Sequence, residues 1–348
     1  MTILPCLRIF VPWRQDIGVD MFETELEIGR NAVIEAMRVC KTVQSELTGV
    51  DSITKDDKSP VTIADFTAQA IICKILKEHF PGVPIVAEEN SDALKKPENE
   101  ETLKKILHYI AEDEKVKYIL DPDNLFANID LGNGEPAGDI FWTLDPIDGT
   151  KGFLRGEQFA IALALIIRGE VQLGILGCPN LQLTGHGCAD GCLLFAVRDK
   201  GAYTRSIGNG IIEKIGVSAI TDARKMRFVE SYVSAHSNMD MQLQIARFLE
   251  MEQDPVRMDS QVKYGVVATG NAEIYLRIPH PNTPDYREKI WDHAAGSIIV
   301  EEAGGVVTDI MGKKLDFSKG KTLKNNRGVF ASVHSVHQRI LDIINELK

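Results

Sequence analysis

Ile140-Phe141-Trp142-Thr143-Leu144-Asp145-Pro146-Ile147-Asp148-Gly149-Thr150 is the stretch on which the fold turns. Its first five residues form an apolar run that reads as a buried strand. Pro146 then fixes the chain direction, and Gly149 permits a tight turn or a close backbone approach. Asp145 and Asp148 can therefore face one small volume at the strand's carboxyl end. Two hard oxygen ligands with a backbone carbonyl between them suit Mg²⁺ better than a soft metal. A short helix starting near Thr150 would turn the amides of Gly149 and Thr150 outward as a phosphate cradle. In an isolated loop, turn chemistry alone explains Asp-x-x-Asp-Gly-Thr. The apolar strand in front of it argues for more.

Further acids stand at the ends of other ordered segments. Thr62-Ile63-Ala64-Asp65 opens a segment whose apolar residues Phe66, Ala70, Ile71, Ile75 and Leu76 recur at helical spacing. Thr62 with Asp65 also reads as a plain capping box. Val83-Pro84-Ile85-Val86-Ala87 is a short apolar strand that runs into Glu88-Glu89-Asn90. Trp291-Asp292-His293-Ala294-Ala295-Gly296 precedes the apolar Ser297 to Val300, where Asp292 could serve simply as an acid at a helix N-terminus. Each local explanation suffices alone. A metal site explains all of them with one cause.

Taken together, these motifs resemble the lithium-sensitive, magnesium-dependent phosphatase superfamily that includes inositol monophosphatase and fructose-1,6-bisphosphatase. The residues carrying the resemblance are Lys58 to Thr62 with Asp65, Ala87-Glu88-Glu89, Asp145 to Thr150, and Ile290 to Gly296. Three further blocks, Ala235-His236-Ser237, Asp259 to Gly265 and Ile274 to Arg277, resemble its bisphosphate nucleotidase branch. The similarity runs from about Phe22 to the end. Ala87 stands where the family usually has Gly, and Asn90 where it usually has Ser; neither change alters a charge.

The resemblance implies a layered αβαβα sandwich and removal of the 3'(2')-phosphate from a small nucleotide bisphosphate such as adenosine 3',5'-bisphosphate or its 5'-phosphosulfate analogue. It implies Glu88, Asp145 and the Ile147 carbonyl around one Mg²⁺, and Asp145, Asp148 and Asp292 around a second, with a third near Asp65 and Glu88. Asp65, acting through Thr150, becomes the acceptor of a water proton, and Gly149 and Thr150 hold phosphate. His236, Ser237, Asp259, Ser260, Lys263 and Arg277 become the substrate ligands, with Lys263 and Arg277 on the 5'-phosphate. An inositol polyphosphate 1-phosphatase would share every metal ligand, and a silent nucleotide-sensing module is the reading from another class. A Lys or Arg at a strand edge is ordinarily solvated surface, and His236 could be a core or capping residue.

Composition agrees with that outline. The 348 residues are long enough for two domains, and 44% are hydrophobic and 26% charged, as in globular proteins. A formal net charge of −11 argues against a duplex nucleic-acid binder. Six cysteines in such a length form no disulfide framework and point to a reducing, cytoplasmic setting. His186, Cys188 and Cys192 hint at zinc at a spacing that matches no standard site. No run is apolar enough for a membrane span, and Met1 to Trp13 makes a poor signal peptide. A monomer is expected.

Periodicity predicts helices over Glu23 to Leu47 and Glu100 to Glu112, and polar loops over Thr48 to Pro60 and Asp121 to Gly138. It predicts strands over Phe159 to Ile167, Val171 to Leu176, Cys192 to Val197 and Ala202 to Thr204. Short turns between those strands imply a largely antiparallel sheet. After Thr221 to Lys225, strand and helix alternate: Arg227 to Glu230, Met239 to Leu249, Gly265 to Thr269, Ala272 to Ile278, Asp292 to Ala303, Val306 to Asp309 and His334 to Leu347. The expected division is a larger α+β domain over 1–222 and a smaller α/β domain over 223–348.

Overall fold

The computed structural model describes residues 22–46, 52–54, 60–114, 116–119, 122–136, 138–183, 185–232 and 238–347. Helix α1 (Glu23–Glu46) leads to a two-stranded ribbon of β1 (Ser52–Thr54) and β2 (Pro60–Thr62), then α2 (Ile63–His79) and β3 (Ile85–Ala87). Helices α3 (Glu100–Glu112), α4 (Val116–Ile119) and α5 (Leu125–Asp130) precede β4 (Ile140–Asp148) and the one-turn α6 (Thr150–Leu154). Strands β5 (Ala160–Ile167), β6 (Glu170–Cys178), β7 (Cys192–Val197), β8 (Gly201–Ser206) and β9 (Ile212–Lys214) complete a seven-stranded sheet in the order β3-β4-β5-β6-β7-β8-β9. It is antiparallel except for the β3–β4 pair.

The second sheet is built from β10 (Phe228–Glu230), α7 (Met239–Phe248), β11 (Val256–Arg257), α8 (Val262–Ala268), β12 (Ile274–Arg277), α9 (Ala294–Glu302), β13 (Val306–Thr308), β14 (Val329–Ser332) and α10 (His334–Glu346). Its five strands run in the order β11-β10-β12-β14-β13. Helices α1 and α2 cover one face of the large sheet, α8 and α9 lie between the sheets, and α7 and α10 cover the far side. This is the layered αβαβα sandwich that the sequence led us to expect.

Alternation along β5 explains the spacing of the layers. Ile161, Leu163 and Leu165 point into the core under α1 and α2, while Ala160, Ala162 and Ala164 face α8 and α9. Burying each large side chain stabilises by about 1.5–3 kcal/mol. The alanines instead leave room for a helix to come close. At Gly174 of β6 the approach is so tight that an added Cβ would sit 2.7 Å from the Ala295 carbonyl oxygen and 2.5 Å from Ile298 Cγ2. Small residues on that face thus seat α9, and with it the loop carrying Asp292, directly on the sheet that ends in Asp145.

Three expectations need correction. Asp121 to Gly138 is not all loop, because Leu125, Asn128 and Ile129 bury one side of α5. Part of Thr48 to Pro60 is strand, although most of it lies outside the described residues. Gly265 to Ala268 belongs to α8, which starts earlier, at Val262, and Thr269 caps its end.

On the outer face, His337 of α10 stacks on Phe330 with ring centroids 4.1 Å apart and 5° between planes. Its nitrogens lie 2.8 Å from Ser332 Oγ and 3.0 Å from Thr308 Oγ1. Burial, with His334 nearby, lowers its pKa from the usual value to about 4. A histidine with a depressed folded pKa stabilises fully above its unfolded value of about 6.5 and loses that contribution as pH falls toward 4. The melting temperature should therefore drop between pH 6.5 and 4, and His337→Phe should flatten that part of the profile. Parallel profiles for the two proteins would contradict the assignment.

Candidate active site

The site begins with two register facts. Parallel pairing sets Ala87 opposite Leu144, and the Glu88 amide donates to the Leu144 carbonyl at 3.2 Å. Glu88 thus leaves β3 beside Asp145 at the same strand end. Strand β4 continues through the hexapeptide to Asp148 with a bulge: Asp145 pairs with Ala162 and Asp148 with Ala160. Residues three apart on a regular strand face opposite sides; the extra residue of the bulge resets the alternation, so both carboxylates serve one side. Asp145 Oδ1 accepts from the Ile147 amide at 3.1 Å, which curls the bulge. Gly149 then adopts φ of 90°, and a Cβ there would lie 2.8 Å from Ser260 Cβ. Glycine is required by both the backbone angle and the contact.

Asp65 is buried at the start of α2. Its Oδ2 accepts from the Thr62 amide at 2.8 Å and from Thr62 Oγ1 at 2.5 Å, while Thr62 Oγ1 accepts from the Ala64 and Asp65 amides. The capping box is therefore present, and it fixes one oxygen of the residue assigned as proton acceptor. Thr150 Oγ1 donates to the Ile147 carbonyl at 3.2 Å. Asp292 arrives from the layer between the sheets, just ahead of α9. Gln261 ties it in: the backbone amide of Gln261 donates to Asp148 Oδ2, while its side chain donates to the Trp291 carbonyl at 2.8 Å and accepts from the Gly296 amide at 3.2 Å.

Electrostatics makes this cluster a candidate cation site. Burial raises the Asp145 pKa well above the carboxylate range, and Glu88, Asp148, Asp292 and Asp65 push it further the same way. Asp292 is likewise raised, first by burial and then by Asp148 and Glu88. Asp148 is raised by burial against the opposing pull of Lys263 and Arg277. Acids of one sign gathered around a buried carboxylate favour a neutralising partner. An all-oxygen set fits Mg²⁺, which binds through few carboxylates and suits phosphate substrates.

Among the proposed substrate ligands, His236 and Ser237 lie outside the described residues. Ser260 holds φ of 71°, a left-handed conformation uncommon for a residue with a side chain, where its backbone meets Gly149. Asp259 is ion-paired with Arg155, which also holds Glu157 at 2.7 Å. Lys263 is only 2% exposed; burial lowers its pKa to about 8 despite Asp148, and its Nζ lies 5.3 Å over the Tyr275 ring. Arg277 is paired with Glu288 at 2.7 Å. Arg155 and Glu288 escaped the sequence reading, and Gln261, Tyr264 and His293 stood in its motif blocks without a role. Glu288 sits in the charged run Arg287-Glu288-Lys289, which looks like solvated surface. Away from this site, Cys188 gives its thiol to the His186 carbonyl at 3.2 Å, and contact with Cys192 and burial push its pKa up, so its sulfur is poorly suited to zinc.

A model of the inositol monophosphatase family matches residues 22–348. The chain is 40% identical over 339 residues to a protein of Schizosaccharomyces pombe named 3'(2'),5'-bisphosphate nucleotidase, covering 92% of this chain and 95% of that one. It is 42% identical over 342 residues to an Oryza sativa protein of the same name, with 93% and 94% covered. Among solved structures, the Thermotoga maritima IMPase superposes with a TM-score of 0.62 at 23% identity, covering 94% of this chain and 98% of that one. An extragenic suppressor protein of Bartonella henselae gives 0.64 at 18% identity, with 93% and 99% covered. These two likenesses bear on the fold.

Proposed function

Because the chain belongs to the inositol monophosphatase family, we propose that it is a Mg²⁺-dependent phosphomonoesterase that removes the 3'(2')-phosphate of adenosine 3'(2'),5'-bisphosphate. The observation that carries this is an acidic cluster facing two cations: buried Asp145 with half-buried Glu88, Asp148 and Asp292 on one side, buried Lys263 and half-buried Arg277 on the other. A phosphatase for a substrate with one phosphate has no need of the second charge set. The names of the relatives in fission yeast and rice support the same substrate.

In this reading Glu88, Asp145 and the Ile147 carbonyl would hold one Mg²⁺, Asp145, Asp148 and Asp292 would hold a second, and Asp65 with Glu88 would border a third. Bound there, Mg²⁺ would supply Lewis-acid stabilisation of a phosphoryl group and would acidify water. The amides of Gly149 and Thr150 orient the reacting phosphate. Asp65, with the Thr150 hydroxyl as relay, accepts the proton of the attacking water. Ser260 and Asp259 serve the nucleotide, a role the sequence also gives His236 and Ser237, and Lys263 and Arg277 take the 5'-phosphate, Arg277 through its planar fork.

A phosphate-release panel with Mg²⁺ tests the assignment, comparing adenosine 3',5'-bisphosphate, its 2',5' isomer, the 3'-phosphate 5'-phosphosulfate and inositol 1,4-bisphosphate. The nucleotides should be preferred. A clear preference for inositol 1,4-bisphosphate would refute the substrate, and no release from any of them would refute the activity. Lys263→Met keeps the apolar stem beside Tyr275 but removes the charge. It should weaken binding of the bisphosphate by roughly 1.5–3 kcal/mol, the scale of a hydrogen bond to a charged group, and affect adenosine 3'-monophosphate much less. Equal losses on both substrates would place Lys263 elsewhere.

A further inference from the structure

Glu288 is 5% exposed, in the loop between β12 and α9, and three groups converge on its carboxylate. Arg277 Nε donates to Oε1 at 3.2 Å, Arg277 Nη2 reaches Oε2 at 2.7 Å, and His293 Nε2 lies 3.1 Å from Oε2. The other nitrogen of His293 is 2.8 Å from the Tyr264 hydroxyl. Tyr264 meets Tyr275 edge-on at 4.9 Å, and Tyr275 lies under the Lys263 ammonium. One connected buried network thus joins both cations assigned to the 5'-phosphate to His293, the residue after Asp292.

Glu288, Asp292 and His293 offer ligand atoms within 4.8 Å of one another, so a separate metal site is the first reading to weigh. The partners of Glu288 argue against it. Both its oxygens already receive the Arg277 guanidinium, and a metal cation there would sit against that fixed positive charge. Burial alone would raise the Glu288 pKa; the Arg277 charge and the His293 bond outweigh it and hold it at about 2. The carboxylate is therefore charged for the sake of Arg277. Arg277 is also within electrostatic range of Asp148 and Asp292. Without Glu288, those two acids would compete for the guanidinium.

We propose that Glu288 is a positioning residue: by gripping Arg277 and His293 together, it keeps the guanidinium directed at the substrate's second phosphate and off Asp148 and Asp292. This rests on the bisphosphate reading above. It makes a pre-organised counter-ion, absent from any motif, part of what distinguishes a bisphosphate from a monophosphate.

Three variants test it: Glu288→Gln, Arg277→Gln and the double variant, which leaves two neutral partners in place of a half-broken ion pair. Glu288→Gln should raise KM for adenosine 3',5'-bisphosphate by about 10–100-fold, on the scale of a lost charged hydrogen bond, and leave KM for adenosine 3'-monophosphate within about threefold, the uncertainty of such couplings. The double variant should match Arg277→Gln alone, because Glu288 acts through Arg277. That comparison also serves if Glu288→Gln does not fold. A double variant clearly worse than Arg277→Gln, or equal KM changes on both substrates, would overturn the proposal. Calorimetric binding of adenosine 5'-monophosphate to the divalent-free protein separates this failure from that of the functional reading. If wild-type protein binds it but releases no phosphate from the bisphosphate, the functional reading fails, while loss of binding in Glu288→Gln or its non-additivity in the double variant still supports the positioning role. If wild-type protein does not bind it, or all variants bind as wild type does, the positioning role fails.

Discussion

Asp145→Asn should abolish phosphate release, by about 10³-fold or more, while raising the melting temperature of the divalent-free protein. The activity loss follows from the placement of Asp145 in both proposed Mg²⁺ sites; removing a single fixed stabiliser of transition-state charge already costs about 10²–10³ in kcat. The stability gain follows from the same geometry. Asp145 is 2% exposed, and burial, Glu88, Asp148, Asp292 and Asp65 all oppose its ionisation. Asparagine has the same shape and can still accept from the Ile147 amide, so the bulge keeps its internal bond. What disappears is an uncompensated buried charge. Near-normal turnover at saturating Mg²⁺ would remove Asp145 from the site. A melting temperature that falls would instead show that the variant disturbs the bulge.

The elements that place the acids were legible because each carries its own local signature. The apolar run before Asp145, the Thr62–Asp65 cap and the short strand before Glu88 are all patterns within a few residues. The antiparallel sheet was legible for a similar reason, since short turns separate the apolar runs of β5 to β8, whereas the layering came from the family resemblance. The bulge in β4 was not, although it is what turns Asp145 and Asp148 to one side. Nothing in Pro146-Ile147 distinguishes a bulge inside a continuing strand from a turn after it. Strand β14, Val329-Phe330-Ala331-Ser332, was missed because three apolar residues and a serine after a glycine have no period of their own. Its identity comes from pairing on both sides, with β12 and β13. Arg277 read as a phosphate ligand, but Glu288, eleven residues later, could be assigned only once both were seen against His293. Long-range partners of this kind leave no mark in a single sequence.

Chelating divalent cations should reduce activity to background and lower the melting temperature, and Mg²⁺ should restore both. Four acids, Glu88, Asp148 and Asp292 around the buried Asp145, repel one another, so a cation that binds the folded chain there stabilises it by mass action. At Mg²⁺ about 100-fold above its dissociation constant the gain is about 2.7 kcal/mol. With an unfolding entropy of about 2.1 cal/mol/K per residue, that amounts to about 4 °C for a chain of this length. Asp145→Asn should show little of this gain, because its cluster has lost both a ligand and the repulsion that binding relieves. Lithium is close to Mg²⁺ in size and carries half its charge, so it suits the same oxygen cage without neutralising the acids. LiCl should therefore inhibit in the presence of Mg²⁺ at concentrations where NaCl does not. Identical inhibition by the two salts would reduce the effect to screening. A Mg²⁺-dependent rise in melting temperature equal in wild type and Asp145→Asn would place the binding outside these carboxylates.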